Sequence, residues 1–200
     1  MSFDEINCFT TTVWVRQAPD HDKLNQDLVE NIRRLQKSDP KGELKSNILG
    51  WQSKRNLHTL AEFSVLTEII GESLIKLARQ LMIRKGMAWT FDMWVNLSPA
   101  QAYNMPHIHS ESHISGVYYV RVPPGSSSIF FRDPRVQSRI LKLPVEKESP
   151  LHASKLFVQP EEGKMYLFPS WLEHGVMAGE NETDRISIAF NAHAFKRPVG

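Results

Sequence analysis

The segment Pro106-His107-Ile108-His109-Ser110-Glu111-Ser112-His113 places three imidazoles and a carboxylate within eight residues. Neutral imidazoles and carboxylates are donors that suit iron, and three ligands on one side of an ion leave positions open for other reactants. On a strand, residues i and i+2 point to one face, about 6.6 Å apart, so His107 and His109 can converge on one ion. His109 and Glu111 obey the same alternation. A third ligand must come from elsewhere in the chain, and His174, in Phe168-Pro169-Ser170-Trp171-Leu172-Glu173-His174, is the candidate. Spacing leaves two sets open: His107, His109 and His174, or His109, Glu111 and His174. His113 and His193 read as ordinary polar residues of strands or turns.

Eleven residues after His174 comes Arg185-Ile186-Ser187-Ile188-Ala189-Phe190-Asn191, a strand that buries one face yet begins with an arginine. A cation pointing inward is costly unless an anion meets it. Arg185 and Ser187 share a face, and together they can grip a carboxylate, the guanidinium bidentately and the hydroxyl beside it.

These side chains need a frame. Residues 9–16 are β-branched and aromatic and read as a first strand. Leu24, Leu28, Ile32 and Leu35 predict a helix over 22–37, closed by the turn residues Ser38 to Gly42. A second helix is expected from Thr59, where Thr59-Leu60-Ala61-Glu62 has the capping-box form, through Leu81 to Arg84-Lys85-Gly86. From Met87 onward the chain changes to short β-like runs at 88–97, 115–122, 128–131, 155–159, 164–168 and 185–192, separated by turn signals such as Pro123-Pro124-Gly125. Helices followed by strands indicate an antiparallel sandwich or small barrel with helices on one side. Residues 132–154 form the one long stretch without periodicity, and 144–160 are a candidate lid. The reading is a single domain over 1–200, with a helical portion to about residue 86 and a β core over about 87–195.

Composition narrows the function. Twenty-four basic against 22 acidic residues leave a net charge of +2, too little for a nucleic-acid footprint. A single cysteine, Cys8, forms neither an internal disulfide nor a cysteine-based zinc site and fits a reducing compartment. The first thirty residues lack a basic region followed by an apolar one, and no apolar run is long enough for a membrane span. A soluble, cytoplasmic protein is expected. Gly-x-Ser-x-Gly, His-Glu-x-x-His and phosphate-binding glycine loops are all missing from the sequence, so hydrolase readings fail.

The His-x-His cluster, Ser115-Gly116-Val117-Tyr118-Tyr119-Val120, Phe131-Arg132-Asp133-Pro134-Arg135, the Phe168 to His174 segment and Arg185 to Asn191 together resemble the 2-oxoglutarate- and iron(II)-dependent oxygenases. The likeness is to a bacterial and phage subgroup distantly similar to the prolyl hydroxylases. Upstream, Ser46-Asn47-Ile48-Leu49-Gly50-Trp51-Gln52-Ser53 is similar to the amino-terminal part of that subgroup, so the resemblance spans about residues 46–192. It implies a mainly β fold, a double-stranded β-helix (a cupin-like jelly roll) with the helical portion packed on it and iron at its open end. The distal iron ligand would be His174. The paired ligands would be His107 and His109 by the subgroup's His-x-His, or His109 and Glu111 by the wider family's His-x-carboxylate. Arg185 would hold the cosubstrate carboxylate with Ser187, Tyr119 would assist it, and Asn96 would line the pocket.

The implied activity is that of a non-haem iron(II) dioxygenase, consuming 2-oxoglutarate and molecular oxygen, releasing succinate and CO2, and hydroxylating a protein side chain or a small molecule. The setting the subgroup implies is the cytoplasm of a bacterium or a phage-infected host, and a homodimer is compatible with it. The alternatives are a cupin-like three-histidine dioxygenase that does not use 2-oxoglutarate, or a non-catalytic jelly-roll binding module. Arg185 separates the first from its rival, because a three-histidine dioxygenase has no need of it.

Overall fold

The computed structural model describes residues 4, 6–140, 144–147 and 149–197. Eleven strands are present among them: β1 (Trp14–Gln17), β2 (Asn47–Ile48), β3 (Trp51–Gln52), β4 (Met87–Ser98), β5 (Tyr103–His107), β6 (Ile114–Arg121), β7 (Ile129–Arg132), β8 (Lys155–Val158), β9 (Lys164–Pro169), β10 (His174–Val176) and β11 (Arg185–Lys196). Two helices, α1 (His21–Ser38) and α2 (Ser64–Gln80), precede most of them. The strands form a major sheet in the order β1-β9-β6-β11-β4-β3 and a minor sheet in the order β2-β5-β10-β7-β8. Every pairing between strands is antiparallel. This is the jelly roll that the sequence implied.

Strand β11 is the spine of the major sheet. It pairs with β4 along its whole length, from Arg185 opposite Ser98 to Lys196 opposite Met87, and with β6 on its other side. Its alternation divides the molecule. Ile186, Ile188, Phe190 and Ala192 join Leu28 and Ile32 of α1 and Leu66, Ile70 and Leu74 of α2 in one buried apolar cluster. Arg185, Ser187 and Ala189, on the other pleat, line a cavity between the sheets. A smaller apolar cluster of Val117, Tyr119, Phe131, Tyr166, Phe168 and Leu172 fills the rest of that space. Strand periodicity therefore sends greasy residues to the helices and polar ones inward.

Several elements differ from the sequence reading. The first strand is confined to Trp14–Gln17. The helix expected from Thr59 begins at Ser64, after two 3-10 turns at Leu57–Thr59 and Ala61–Phe63. The Thr59 hydroxyl donates to the Asn56 carbonyl (2.8 Å) instead of capping a helix, and buried Leu57 and Phe63 pin the turns. The helix also stops at Gln80 rather than near Gly86. Strands β2, β3, β5 and β10 were not legible, being two to five residues long and without apolar alternation. Within the long aperiodic stretch, Val136–Arg139 form a 3-10 turn, while 141–143 and 148 lie outside the described residues. The candidate lid is not seen as one: Lys155–Val158 add to the minor sheet as edge strand β8, and no described residue of 144–160 lines the cavity between the sheets.

Gly116 sits opposite Phe190 in the β6–β11 register, and a Cβ there would clash with the Cζ end of the Phe190 ring. Gly71, inside α2, has open space where a Cβ would go. Two alanine substitutions should therefore act in opposite directions in urea denaturation. Gly116→Ala is expected to lose roughly 1–3 kcal/mol to overpacking. Gly71→Ala should gain about 0.5–1 kcal/mol from helix propensity. Equal effects would contradict this packing.

Candidate active site

His107 ends β5 and His174 begins β10, and the two face each other in the β5–β10 register. The ladder that closes the minor sheet thus brings together two imidazoles 67 residues apart in sequence (174 − 107), with ring centroids 4.4 Å apart. His109 lies two residues beyond the end of β5, not on it. It is held by its own backbone N–H, which donates to the Ser170 carbonyl (2.9 Å) in the β9–β10 turn. Its ring lies 4.9 Å from that of His107 and 5.2 Å from that of His174. One nitrogen from each histidine falls within 4.8 Å of the others. Among the described residues no other three metal-type ligands gather in this way. Glu111 is exposed and lines a neighbouring cavity instead.

Hydrogen bonds to main-chain carbonyls orient two of the three imidazoles. Nδ1 of His107 lies 2.7 Å from the Met105 carbonyl, and Nδ1 of His174 lies 2.8 Å from the Leu172 carbonyl. A carbonyl can only accept, so both Nδ1 atoms carry the proton and both Nε2 lone pairs are bare. Burial pushes His109 down to about 3, with His174 and His107 beside it adding to the effect. Burial also takes His174 down to about 4, aided by His107, and lowers His107. All three are therefore neutral near pH 7. Phe168 packs edge-on to His174, with centroids 4.6 Å apart. Trp94 stands edge-on to His109 at 6.1 Å, and the Arg55 guanidinium covers the Trp94 ring at 4.4 Å.

Beside the triad lies a cavity of about 350 Å³ that reaches Arg185. Its wall is set by register. Gln52 lies opposite Asn96, Asn96 opposite Ser187, and Ser187 opposite Tyr119. Directly opposed residues share a face, so four polar side chains cross β3, β4, β11 and β6 in one row. Arg185 is one pleat further, 2% exposed. Its Nη1 donates to the Ser127 carbonyl (3.2 Å) and its Nη2 to the Ser98 hydroxyl (3.1 Å), while Nε has no partner. No carboxylate among the described residues forms an ion pair with it. Burial lowers its pKa, against the pull of Tyr119. Burial pushes the Tyr119 phenol up to about 12, so it stays a proton donor. Asn96 Oδ1 is also buried without a partner.

The structure thus places Asn96, Tyr119, Arg185 and Ser187 on one cavity wall with the histidine triad at its other end. Sequence reasoning missed Gln52, Ser98, Trp94 and Arg55. Trp51-Gln52-Ser53 lay within the stretch that carried the resemblance, but nothing in its local pattern marked a pocket. A second cavity, of about 500 Å³, adjoins the first through His109 and Arg55, and Asp92, Glu111 and His193 help to line it. There Arg55 lies 3.7 Å from the Asp92 carboxylate, whose pKa burial raises in spite of that cation.

Residues 92–191, 100 of the 200, match the sequence model of the 2OG-Fe(II) oxygenase family. The chain belongs to that family. Iron(II) and 2-oxoglutarate are the metal and cosubstrate from which the family takes its name. Among solved structures, a prolyl-4-hydroxylase from Pseudomonas putida superposes with a TM-score of 0.65 at 13% identity, over 94% of this chain and 95% of that one. A Trichoplax adhaerens prolyl hydroxylase, solved with a hypoxia-inducible-factor peptide fragment, gives 0.62 at 12%, over 92% and 84%. HygX from Streptomyces hygroscopicus, solved with nickel, 2-oxoglutarate and hygromycin B, gives 0.64 at 13%, over 92% and 83%. These distant likenesses establish the shared fold. No curated protein sequence matches the chain, and among the described residues no helix is long and apolar enough to cross a membrane.

The depressed histidines give the metal-free protein an acid liability. An unfolded histidine takes its proton near pH 6.5, whereas folded His109 and His174 resist protonation down to about 3 and 4. Across that window the unfolded chain binds more protons, so stability falls as pH falls. The thermal midpoint of the metal-free protein should decline from about pH 6.5 downward, and His109→Gln should flatten the decline. Parallel curves for the two proteins would contradict the burial of His109.

Proposed function

We propose that this chain is a non-haem iron(II)- and 2-oxoglutarate-dependent dioxygenase in which His107, His109 and His174 hold the iron and Arg185 and Ser187 hold the distal carboxylate of the cosubstrate. The observation that carries the reading is a buried guanidinium with no carboxylate partner among the described residues, at the far end of a cavity that begins at three converging neutral imidazoles. The donor set fits iron(II), and an unpaired buried cation calls for an anion. When bound, iron and 2-oxoglutarate supply oxygen activation, with decarboxylation of the cosubstrate to succinate coupled to oxidation of the substrate.

The protein's own groups orient and enclose. The Met105 and Leu172 carbonyls fix two imidazoles with Nε2 available. Tyr119, protonated and buried, donates its phenol hydrogen toward the carboxylate that Arg185 attracts. Asn96 presents an acceptor on the same wall. Phe168 and Phe131, packed at 5.0 Å, close off the side of His174 from water. The substrate approaches through the second cavity, where Arg55, stacked on Trp94, marks the boundary with the first. That cavity is lined by groups of both charges and suits a polar substrate, either a small molecule such as the hygromycin B bound by HygX or a peptide side chain such as the Trichoplax enzyme meets. A three-histidine dioxygenase working without 2-oxoglutarate leaves Arg185 unexplained.

The test is an anaerobic visible spectrum of the protein titrated with iron(II) and then 2-oxoglutarate. A weak charge-transfer band should appear only when both are present, persist in Glu111→Ala and vanish in His107→Ala. The opposite pattern would assign the site to His109, Glu111 and His174. Iron binding without a band would remove 2-oxoglutarate from the reaction. Arg185→Met should abolish the band at 2-oxoglutarate concentrations that saturate the wild type, yet leave the ligand-free protein at least as stable, because it removes an unpaired buried charge.

A further inference from the structure

The row of polar side chains across the major sheet contains one member without a part in the reading above. Gln52 is 2% exposed, lines the cavity between the triad and Arg185, and leaves its Nε2 without a hydrogen-bond partner. A buried carboxamide with an unmade bond is a poor structural choice, since leucine would fill the same space without an orphaned donor. Gln52 is nonetheless held firmly. Its carbonyl accepts from the Glu43 N–H (2.8 Å), and the neighbouring Trp51 indole N–H donates to the Asp39 carbonyl (2.9 Å). Gly42, at φ +55°, packs too closely against the Gln52 carbonyl to admit a Cβ. The turn before β3 therefore clamps the backbone that carries this side chain.

A carboxylate offers about four lone-pair sites for hydrogen bonds. Arg185, Ser187 and Tyr119 supply donors from β11 and β6, all on one side of the Asn96 position. Gln52 stands on the other side, in register with the same row. We propose that Gln52 is a further cosubstrate-binding residue, its carboxamide N–H donating to the distal carboxylate of 2-oxoglutarate and so favouring this cosubstrate over 2-oxo acids that lack that group. The inference rests on the dioxygenase reading and deepens it.

The test compares 2-oxoglutarate with 2-oxobutyrate, which keeps the chelating 2-oxo acid and lacks the distal carboxylate. Dissociation constants are read anaerobically from the charge-transfer band on the full chain loaded with iron(II). Gln52→Leu should weaken 2-oxoglutarate by about tenfold to a hundredfold, the range of a hydrogen bond to a charged group, and leave iron and 2-oxobutyrate binding unchanged. Gln52→Glu, nearly isosteric, should weaken 2-oxoglutarate further by setting carboxylate against carboxylate, which keeps the inference testable if Gln52→Leu does not fold. Equal weakening of both ligands would mean a general disturbance of the cavity and would overturn the proposal. Unchanged 2-oxoglutarate affinity in both variants would overturn it too, while leaving the dioxygenase reading intact. No band in the wild type with either ligand would overturn that reading and this inference with it.

Discussion

A guanidinium shut away from water, with no carboxylate partner among the described residues, is the constraint around which the rest of the site is arranged. Arg185 keeps two hydrogen bonds, to a carbonyl and a hydroxyl, and neither neutralises its charge. Low dielectric makes such a group expensive, and the fold tolerates it because β11 is anchored everywhere else. The strand pairs on both edges, and its alternate residues are sealed into the α1–α2 core. That apolar face stabilises the strand regardless of what the polar face does. The polar face can therefore carry a buried cation at a cost that the apolar face offsets.

The opposite end of the cavity has the complementary character. Three imidazoles crowded together would repel one another if charged, and burial keeps them neutral. Two are oriented by carbonyls on their own strand or turn, and the third by a backbone bond to the turn that precedes His174. Ser170, the residue that accepts that bond, is tied in turn to Ser115, whose hydroxyl also donates to Asn191 (2.8 Å). A short polar network thus links the triad's loop to the spine of the major sheet. In the proposed all-histidine set the protein would bring no negative charge to a divalent ion, and the cosubstrate would be the source of anionic donors.

Much of this was legible in the sequence, and the failures have physical causes. Amphipathic α1 announced itself by its helical period, and the long strands β4, β6 and β11 by runs rich in β-branched and aromatic residues, much of their length being buried on both faces. Strands β2, β3, β5 and β10 did not, since β5 and β10 take their place from ladder pairing rather than from apolar pattern. That matters for the ligands. Alternation along a strand made His107-His109 and His109-Glu111 equivalent, but β5 ends at His107, so His109 and Glu111 lie on a loop whose course no strand rule predicts. Thr59 misled because a hydroxyl suited to a helix cap serves a 3-10 turn equally well. Gln52 was invisible as a pocket residue because its meaning comes from cross-strand register, which a linear chain does not display.

The central claim is that one cavity joins a three-histidine metal site to a carboxylate-binding arginine. Its most direct test is a crystal structure of the protein grown anaerobically with iron(II) and 2-oxoglutarate, with anomalous data collected at the iron edge. The account predicts a single strong anomalous peak bounded by His107, His109 and His174, with the cosubstrate extending from it to Arg185. A peak that includes Glu111 and omits His107, or a 2-oxoglutarate carboxylate bound away from Arg185, would contradict it.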